Sequence, residues 1–176
     1  EDVEAALELA RGADDPRVVA NTYFQASLVA ERMGHWVASR NYAQQAKMLY
    51  EELAGRAREH GFVVCSDEAY SELWFGERPV SALQVADREH VVVFNTLSKR
   101  SSMTGYRSGF VCAPPWIADA LRAFRPSLGT APQEFVQRAS VAAWSDEQHV
   151  DAVRVVYRRK RDTLLPALES VGLRLA

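Results

Sequence analysis

The spacing of apolar residues changes near residue 60, and the two halves of the chain predict different structures. In the first half, small and apolar residues recur every three or four positions, which is the period of a helix with one buried face. Helices are predicted over 1–11, over 17–33 and from Trp36 to about residue 57, with Gly34 marking the turn before the last. Residues 1–57 are therefore predicted to be an all-helical segment.

The second half instead contains short runs of consecutive apolar residues. Three runs predict strands, at 62–68, 90–96 and 108–113. The first run is expected to be buried on both faces, because continuous apolar runs are typical of strands inside a parallel sheet. The runs are spaced widely enough for other elements to lie between or after them.

Three helices are predicted in this half, over 116–124, from about Gln133, and from about 147 to 170. The last begins with a capping-box pair, Ser145 and Gln148. Pro166 is expected to kink it, and Gly172 to end it. Strands mixed with helices predict an α/β domain with a mostly parallel sheet over residues 58–176.

Composition and charge restrict the classes of function that the chain can have. The chain has 176 residues, 48% of them hydrophobic, with a formal net charge of −2, which suits a globular domain and gives no general attraction to nucleic acid or anionic membrane. No apolar run approaches the roughly 20 residues that span a bilayer, and the four histidines show no metal-ligand spacing with the cysteines. Cys65 and Cys112 lie inside apolar runs and are expected to be buried free thiols in a reducing cytoplasm.

Polar side chains gather where the predicted strands end. Asp67 ends the first strand, Lys99 follows the second, and Arg107 precedes the third. The carboxyl ends of parallel strands carry the ligand site in many α/β sheets. A lysine at such a place can form a Schiff base with an aldehyde cofactor.

Pyridoxal phosphate is the aldehyde cofactor that the neighbouring residues suit. Asp67 offers a carboxylate for the pyridine nitrogen, which makes the ring an electron sink, and Tyr70 offers a hydroxyl for the phenolic oxygen. Hydroxyls and a guanidinium suit the phosphate, and the chain offers them at Thr96, Ser98 and Arg107. A lone lysine in a polar loop is usually a solvated charge, so the hypothesis depends on the joint order and spacing of this set.

Two sequence motifs carry a resemblance to a known family. SDEAY at 66–70, followed by TLSKRSSMTGYRSG at 96–109, resembles the core of the class I and II aminotransferases, which are fold-type I pyridoxal phosphate enzymes. The pattern is most similar to the succinyldiaminopimelate aminotransferase branch of lysine biosynthesis, and the resemblance covers about residues 53–176. It implies that Lys99 is the Schiff-base lysine.

The resemblance also implies roles for the other residues and a fold. Asp67 would hold the pyridine nitrogen and Tyr70 the phenolic oxygen, while the phosphate would be held by Thr96, Ser98 and Arg107. The fold would be a partial large domain in which the third strand is antiparallel and the last helix leads towards a small domain. The implied reaction moves an amino group between an amino acid and a 2-oxo acid. A homodimer is a further expectation, because dimerisation would cover the exposed edge and apolar face of a partial sheet.

The sequence also departs from that family. Its upstream glycine loop, its Asn-Pro-x-Gly turn and its small domain have no counterpart here. We therefore expect a truncated or chimaeric aminotransferase with impaired activity and weak cofactor binding, and a sheet with an exposed edge and an uncovered apolar face.

Residues 1–57 weakly resemble a tetratricopeptide helical hairpin. Tyr23 stands at its large position, Ala26 and Ala30 at small ones, and Gly34 at the turn. Two amphipathic helices without repeat ancestry fit the same pattern about as well. The alternative function is accordingly a non-catalytic interaction module that uses these helices.

Overall fold

A computed structural model of the protein describes residues 8, 12, 36–76, 78–129 and 131–173. Eight helices and strands lie within these residues: α1 Trp36–His60, β1 Val64–Asp67, β2 Val91–Thr96, α2 Leu97–Arg100, β3 Gly109–Cys112, α3 Pro115–Phe124, α4 Glu134–Trp144 and α5 Gln148–Ser170. Short 3-10 turns occur at Ala82–Gln84, Thr104–Tyr106 and Arg125–Leu128. The predicted helices over 1–11 and 17–33, and with them most of the hairpin, lie outside the described residues.

The three strands form one sheet in the order β1-β2-β3. β1 and β2 are parallel, with Asp67 opposite Phe94, and β2 and β3 are antiparallel, with Thr96 opposite Gly109. The three predicted strands and the antiparallel third strand are therefore confirmed. β1 and β3 are the two edges of the described sheet, as expected for a sheet that lacks strands.

One cluster of buried apolar residues lies between one face of the sheet and α1. Val91 and Val93 of β2 are 2% and 1% exposed and pack in a cluster with Ala54 of α1 and with Ala82 and Val85 of the following loop. Side chains alternate across a strand, so these two valines share one face of the sheet. The apolar stripe of α1 covers that face.

The prediction that the first strand is buried on both faces is wrong. Along β1, Val64 and Ser66 are half-buried on the side of α1, whereas Cys65 and Asp67 are exposed. All four residues of β3 are exposed, including Cys112, so the expected burial of both free cysteines is also wrong. A short apolar run marks a strand, but it does not show whether a second layer covers the other face.

The start of α5 differs from the prediction, whereas its end agrees with it. Ser145 ends α4 and forms no capping box; instead the Asp146 carboxylate accepts a hydrogen bond from the Gln148 N–H at 2.8 Å. At the other end Gly172 has a left-handed φ of +83°, and its N–H donates to the Glu169 carbonyl in a Schellman turn, which confirms the predicted end. Pro166 lies inside the helix, which continues to Ser170. Within the described part of the chain, α1 and α5 are the longest helices, and neither they nor the others could cross a membrane.

Candidate functional site

Lys99 lies on α2, a single helical turn that directly follows β2. Thr96 begins this turn, because its hydroxyl accepts a hydrogen bond from the Ser98 N–H at 3.1 Å, and Leu97 is completely buried beneath it. Lys99 is half-buried, and its Nζ lies 5.2 Å from the centre of the Tyr70 ring. That distance allows a cation–π contact. The structure thus brings Lys99 and Tyr70 together.

Asp67 and Tyr70 lie on the turn that follows β1. The Asp67 carboxylate accepts a hydrogen bond from the Ala69 N–H at 3.1 Å, and the side chain of Asn95 at the end of β2 donates to Ser71 at 3.4 Å. This turn is therefore held against the carboxyl end of β2. Among the described residues no ion pair joins Asp67 to Lys99, so both charged groups remain available to a ligand.

The residues predicted to hold a phosphate lie along one loop. The hydroxyls of Thr96 and Ser98 are 3.0 Å apart. Arg107 is exposed, and its Nη1 donates to the Thr104 carbonyl at 3.2 Å, while the Thr104 hydroxyl donates to the Ser98 carbonyl at 3.1 Å. The structure therefore places Thr96 and Ser98 side by side and connects Arg107 to them through Thr104.

Arg107 also has an unusual backbone conformation. Its φ is +51°, in the left-handed region, whereas Gly105, two residues earlier, carries no left-handed φ. A non-glycine residue held there costs about 1 kcal/mol or more, and such residues cluster at ligand sites. Ser102 shares this conformation, with a φ of +54°, so the strain by itself does not single out Arg107 as a ligand contact.

Sequence reasoning missed Arg100, the residue next to Lys99. It is 2% exposed, its Nη1 donates to the Ala143 carbonyl at 2.8 Å, and its Nη2 forms an ion pair with Glu147. Its guanidinium also lies 4.7 Å from the centre of the Trp144 ring. The SKR motif puts a second basic residue beside Lys99, and this was the only feature of the sequence that pointed to Arg100.

Sequence reasoning also missed Glu68, the residue that follows Asp67. It is 7% exposed, and its Oε1 accepts hydrogen bonds from the Ala82 N–H at 2.8 Å, the Ser81 hydroxyl at 3.0 Å and the Ser66 hydroxyl at 3.3 Å. Burial raises the pKa of the Glu68 carboxyl, although these hydrogen bonds oppose the shift. Glu68 thus anchors the chain immediately after Asp67.

Glu68→Gln is expected to be more stable than the parent at pH 7, with the difference shrinking towards pH 4. The raised pKa means that the folded state holds the Glu68 proton more tightly than the unfolded chain does. The stabilisation that protonated Glu68 gives the folded state is therefore complete below the ordinary glutamate pKa range and is lost as the pH rises through the raised pKa. Glutamine accepts the same hydrogen bonds without a charge. Urea unfolding at both pH values measures the difference.

The control for this test is Glu59→Gln, which neutralises an exposed carboxylate on α1. Its effect on the free energy of unfolding should be small and similar at both pH values. An effect of Glu68→Gln that does not change with pH would contradict the role assigned to burial.

The chain belongs to the class I and II aminotransferases. The family model described as aminotransferase class I and II matches residues 27–176. The match begins upstream of residue 53, where the resemblance was expected to start, and it includes all of α1. The boundary between two domains at residue 57 and the assignment to the succinyldiaminopimelate aminotransferase branch remain predictions. Enzymes of this family use pyridoxal phosphate.

Several relatives are diaminopimelate enzymes. The LL-diaminopimelate aminotransferase of Dehalococcoides mccartyi is 37% identical over 127 residues, which are 70% of this chain and 33% of that protein. The enzyme of the same name from Desulforudis audaxviator is 36% identical over 136 residues, 76% of this chain and 35% of the relative. The 4-dedimethylamino-4-oxo-anhydrotetracycline transaminase of Streptomyces rimosus is 37% identical over 128 residues, 70% of this chain and 36% of the relative.

Solved structures show the same relationship. An aminotransferase from Neisseria meningitidis is 38% identical with a TM-score of 0.64, covering 69% of this chain and 33% of that one. An aspartate aminotransferase double mutant from Thermus thermophilus is 34% identical with a TM-score of 0.65, covering 73% and 34%. The family and the partial α/β fold predicted from the sequence are confirmed. The chain spans about a third of the length of the relatives that it matches.

Proposed function

We propose that this chain supplies the cofactor-binding lysine and part of the cofactor site of a pyridoxal phosphate-dependent aminotransferase. The observation that carries the proposal is the position of Lys99, whose amine lies over the Tyr70 ring at the carboxyl edge of the sheet, where Asp67 also ends its strand. An amine beside an aromatic face, rather than in an ion pair with an acid, is available to react with an aldehyde.

The chemistry of the surrounding side chains fits the rest of the cofactor. Asp67 would accept the pyridine N–H, and Tyr70 would donate to the phenolic oxygen. The adjacent Thr96 and Ser98 hydroxyls and the Arg107 guanidinium would donate to the phosphate, for which charge-assisted hydrogen bonds are strong. When bound, the cofactor supplies an electron sink for the carbanion formed at the substrate α-carbon.

Lys99 would also act as a general acid–base. Its amine, once released from the cofactor, would remove the proton from the substrate α-carbon, and its flexible four-carbon stem allows that movement. The anchored ends of α2 would keep the amine within reach of the reacting carbon, because Leu97 and Arg100 on either side are buried.

The substrates are proposed at the level of class. They are an amino acid and a 2-oxo acid, with diaminopimelate and lysine biosynthesis as the pathway suggested by the names of several relatives. A tetracycline transaminase is as similar to this chain as the diaminopimelate enzymes are, so this segment alone does not distinguish their substrates. A homodimer would cover exposed apolar side chains of β3 such as Phe110 and Val111, each 43% exposed.

Selective labelling of Lys99 tests the proposal. The sequence has three lysines, at 47, 99 and 160, so incubation with pyridoxal phosphate, borohydride reduction and peptide mapping can follow each one. Lys160 is a matched control because its Nζ lies 5.1 Å from the centre of the Tyr157 ring on the surface of α5. We expect Lys99 to be labelled about tenfold more than Lys160, a difference of about 1.4 kcal/mol in attachment.

Two variants complete this test. Lys99→Arg should remove the labelled peptide and leave the labelling of Lys160 unchanged, whereas Lys160→Arg should leave the labelling of Lys99 unchanged. Equal labelling of Lys99 and Lys160 in the parent would mean that Lys99 reacts no more than another lysine beside a tyrosine ring. The cofactor site would then be wrongly assigned.

A further inference from the structure

The two residues that follow Lys99 are both tied to the junction between α4 and α5. Arg100 contacts the end of α4 through the Ala143 carbonyl and the Trp144 ring, and it pairs with Glu147 just before α5. These contacts span 43 and 47 residues of sequence. The junction therefore holds the end of α2 from outside the site.

Ser101 is held by a hydrogen-bond chain to the same junction. The His149 Nε2 lies 2.8 Å from the Ser101 hydroxyl, and the His149 Nδ1 lies 2.8 Å from the Asp146 carboxylate. The Asp146 carboxylate accepts a hydrogen bond from the ring, so the imidazole bridges Asp146 and Ser101 through its two nitrogens. The hydrogen bond from His149 lowers the pKa of Asp146, which keeps its carboxylate charged.

We propose that Arg100, Ser101 and His149 are positioning residues for Lys99, forming a two-point clamp that aims its amine towards Tyr70. The clamp is defined by two attachments, Arg100 to the Ala143–Glu147 segment and Ser101 to His149. This inference rests on the proposed role of Lys99 as the cofactor-binding residue.

The geometry of a single helical turn explains why a clamp is needed. α2 has only four residues, and an isolated turn of that length is unstable because nucleation of a helix is unfavourable. Successive helical residues project about 100° apart, so fixing Arg100 in one direction fixes the direction of Lys99 as well. Thr96 and Leu97 hold the front of the turn, and the clamp holds its back.

The clamp separates the functions of two adjacent basic residues. Arg100 is buried against α4, whereas Lys99 is half-buried and lies over Tyr70. A guanidinium suits a buried position with several acceptors, because it is planar and always charged. Of these two adjacent basic residues, the lysine is therefore the one presented to a ligand at this edge of the sheet.

The test compares the ratio of Lys99 to Lys160 labelling by pyridoxal phosphate in variants of the 176-residue chain. Ser101→Ala removes one attachment and is expected to lower the ratio about fivefold, whereas Ser101→Thr keeps the hydroxyl and should retain at least half of the parent ratio. Asp146→Asn weakens the hydrogen bond that orients the His149 ring and is expected to lower the ratio about twofold. The thermal midpoint of each variant is measured alongside.

The control variant is Ser102→Ala. Ser102 is exposed, and its hydroxyl makes no hydrogen bond to any other residue that the structure describes. Its substitution should leave the labelling ratio unchanged. A purely structural role for Ser101 would lower the thermal midpoint without changing the ratio, because Lys160 in the same molecule reports labelling that does not depend on the clamp.

The outcomes separate the two proposals. Selective labelling of Lys99 in the parent, with an unchanged ratio in both Ser101→Ala and Asp146→Asn, overturns the clamp and leaves the cofactor site standing. Absence of selective labelling in the parent overturns the cofactor site and the clamp with it. Loss of the ratio in Ser101→Ala with recovery in Ser101→Thr supports both. If Ser101→Ala does not fold, the ratio in Asp146→Asn decides.

Discussion

Gly109→Ala is expected to lower the free energy of unfolding by about 3 kcal/mol or more, which is a large part of the stability of an ordinary domain. A Cβ at this position would lie 2.3 Å from the Asn95 carbonyl oxygen and 3.2 Å from the Thr96 Cα. Both obstacles are backbone atoms of β2, so no change of rotamer relieves the clash. The substitution must separate β2 from β3 where Thr96 and Gly109 pair. Urea unfolding followed by circular dichroism measures the loss.

Gly105→Ala is the matched control for this substitution. A Cβ at Gly105 would meet nothing within 4 Å, and its φ is not left-handed. The change in unfolding free energy should therefore stay within about 0.5 kcal/mol. Similar midpoints for the two variants would mean that the strands tolerate a wider separation than the close approach of Gly109 and Asn95 implies.

The Gly109 substitution should also affect the candidate cofactor site. Thr96, which pairs with Gly109, begins the turn that carries Lys99, and its hydroxyl donates to the Ser108 carbonyl at 3.0 Å. A displaced Thr96 would release the front of that turn. Labelling of Lys99 is therefore expected to fall along with stability, which ties the sheet register to the site.

The strands and the order of the site residues could be predicted from sequence because both are local signals. The apolar run of β2 and the SKR turn after it place Lys99 at a strand end without knowledge of any distant contact. The antiparallel pairing of β3 could be predicted only from the family resemblance, because the alternation of side chains along a strand is the same for parallel and antiparallel pairing. Local pattern thus located Lys99, and family knowledge supplied the pairing of β3.

The environment of the site could not be predicted in this way, because it depends on segments far apart in sequence. The local sequence around Glu68 does not indicate that residues 81 and 82 return to donate hydrogen bonds to it. The apolar run around Cys65 predicts burial, but the described residues leave that face of β1 open. In each case the error follows from a tertiary contact, or its absence among the described residues, that a short run of residues does not encode.

Arg100 shows the same limit and provides the second large prediction. Arg100→Ala is expected to lower the free energy of unfolding by about 3 kcal/mol, since it leaves a cavity beside Trp144 and the Ala143 carbonyl without its donor. Glu147 is 67% exposed and regains water when its partner is lost, so most of the cost comes from the buried side of the pair. Urea unfolding measures this difference.

One further variant separates packing from charge at Arg100, and another serves as a surface control. Arg100→Met keeps much of the apolar contact with Trp144 and should recover part of the loss, because buried ion pairs are often replaceable by apolar groups of similar volume. Arg122→Ala breaks an ion pair with Asp119 in which both side chains are largely exposed, and it should cost less than about 1 kcal/mol. If Arg100→Ala lowers the free energy of unfolding as little as Arg122→Ala does, Arg100 is not the anchor of the Lys99 turn. An anchoring residue must contribute more to the stability of the fold than an exposed ion pair does.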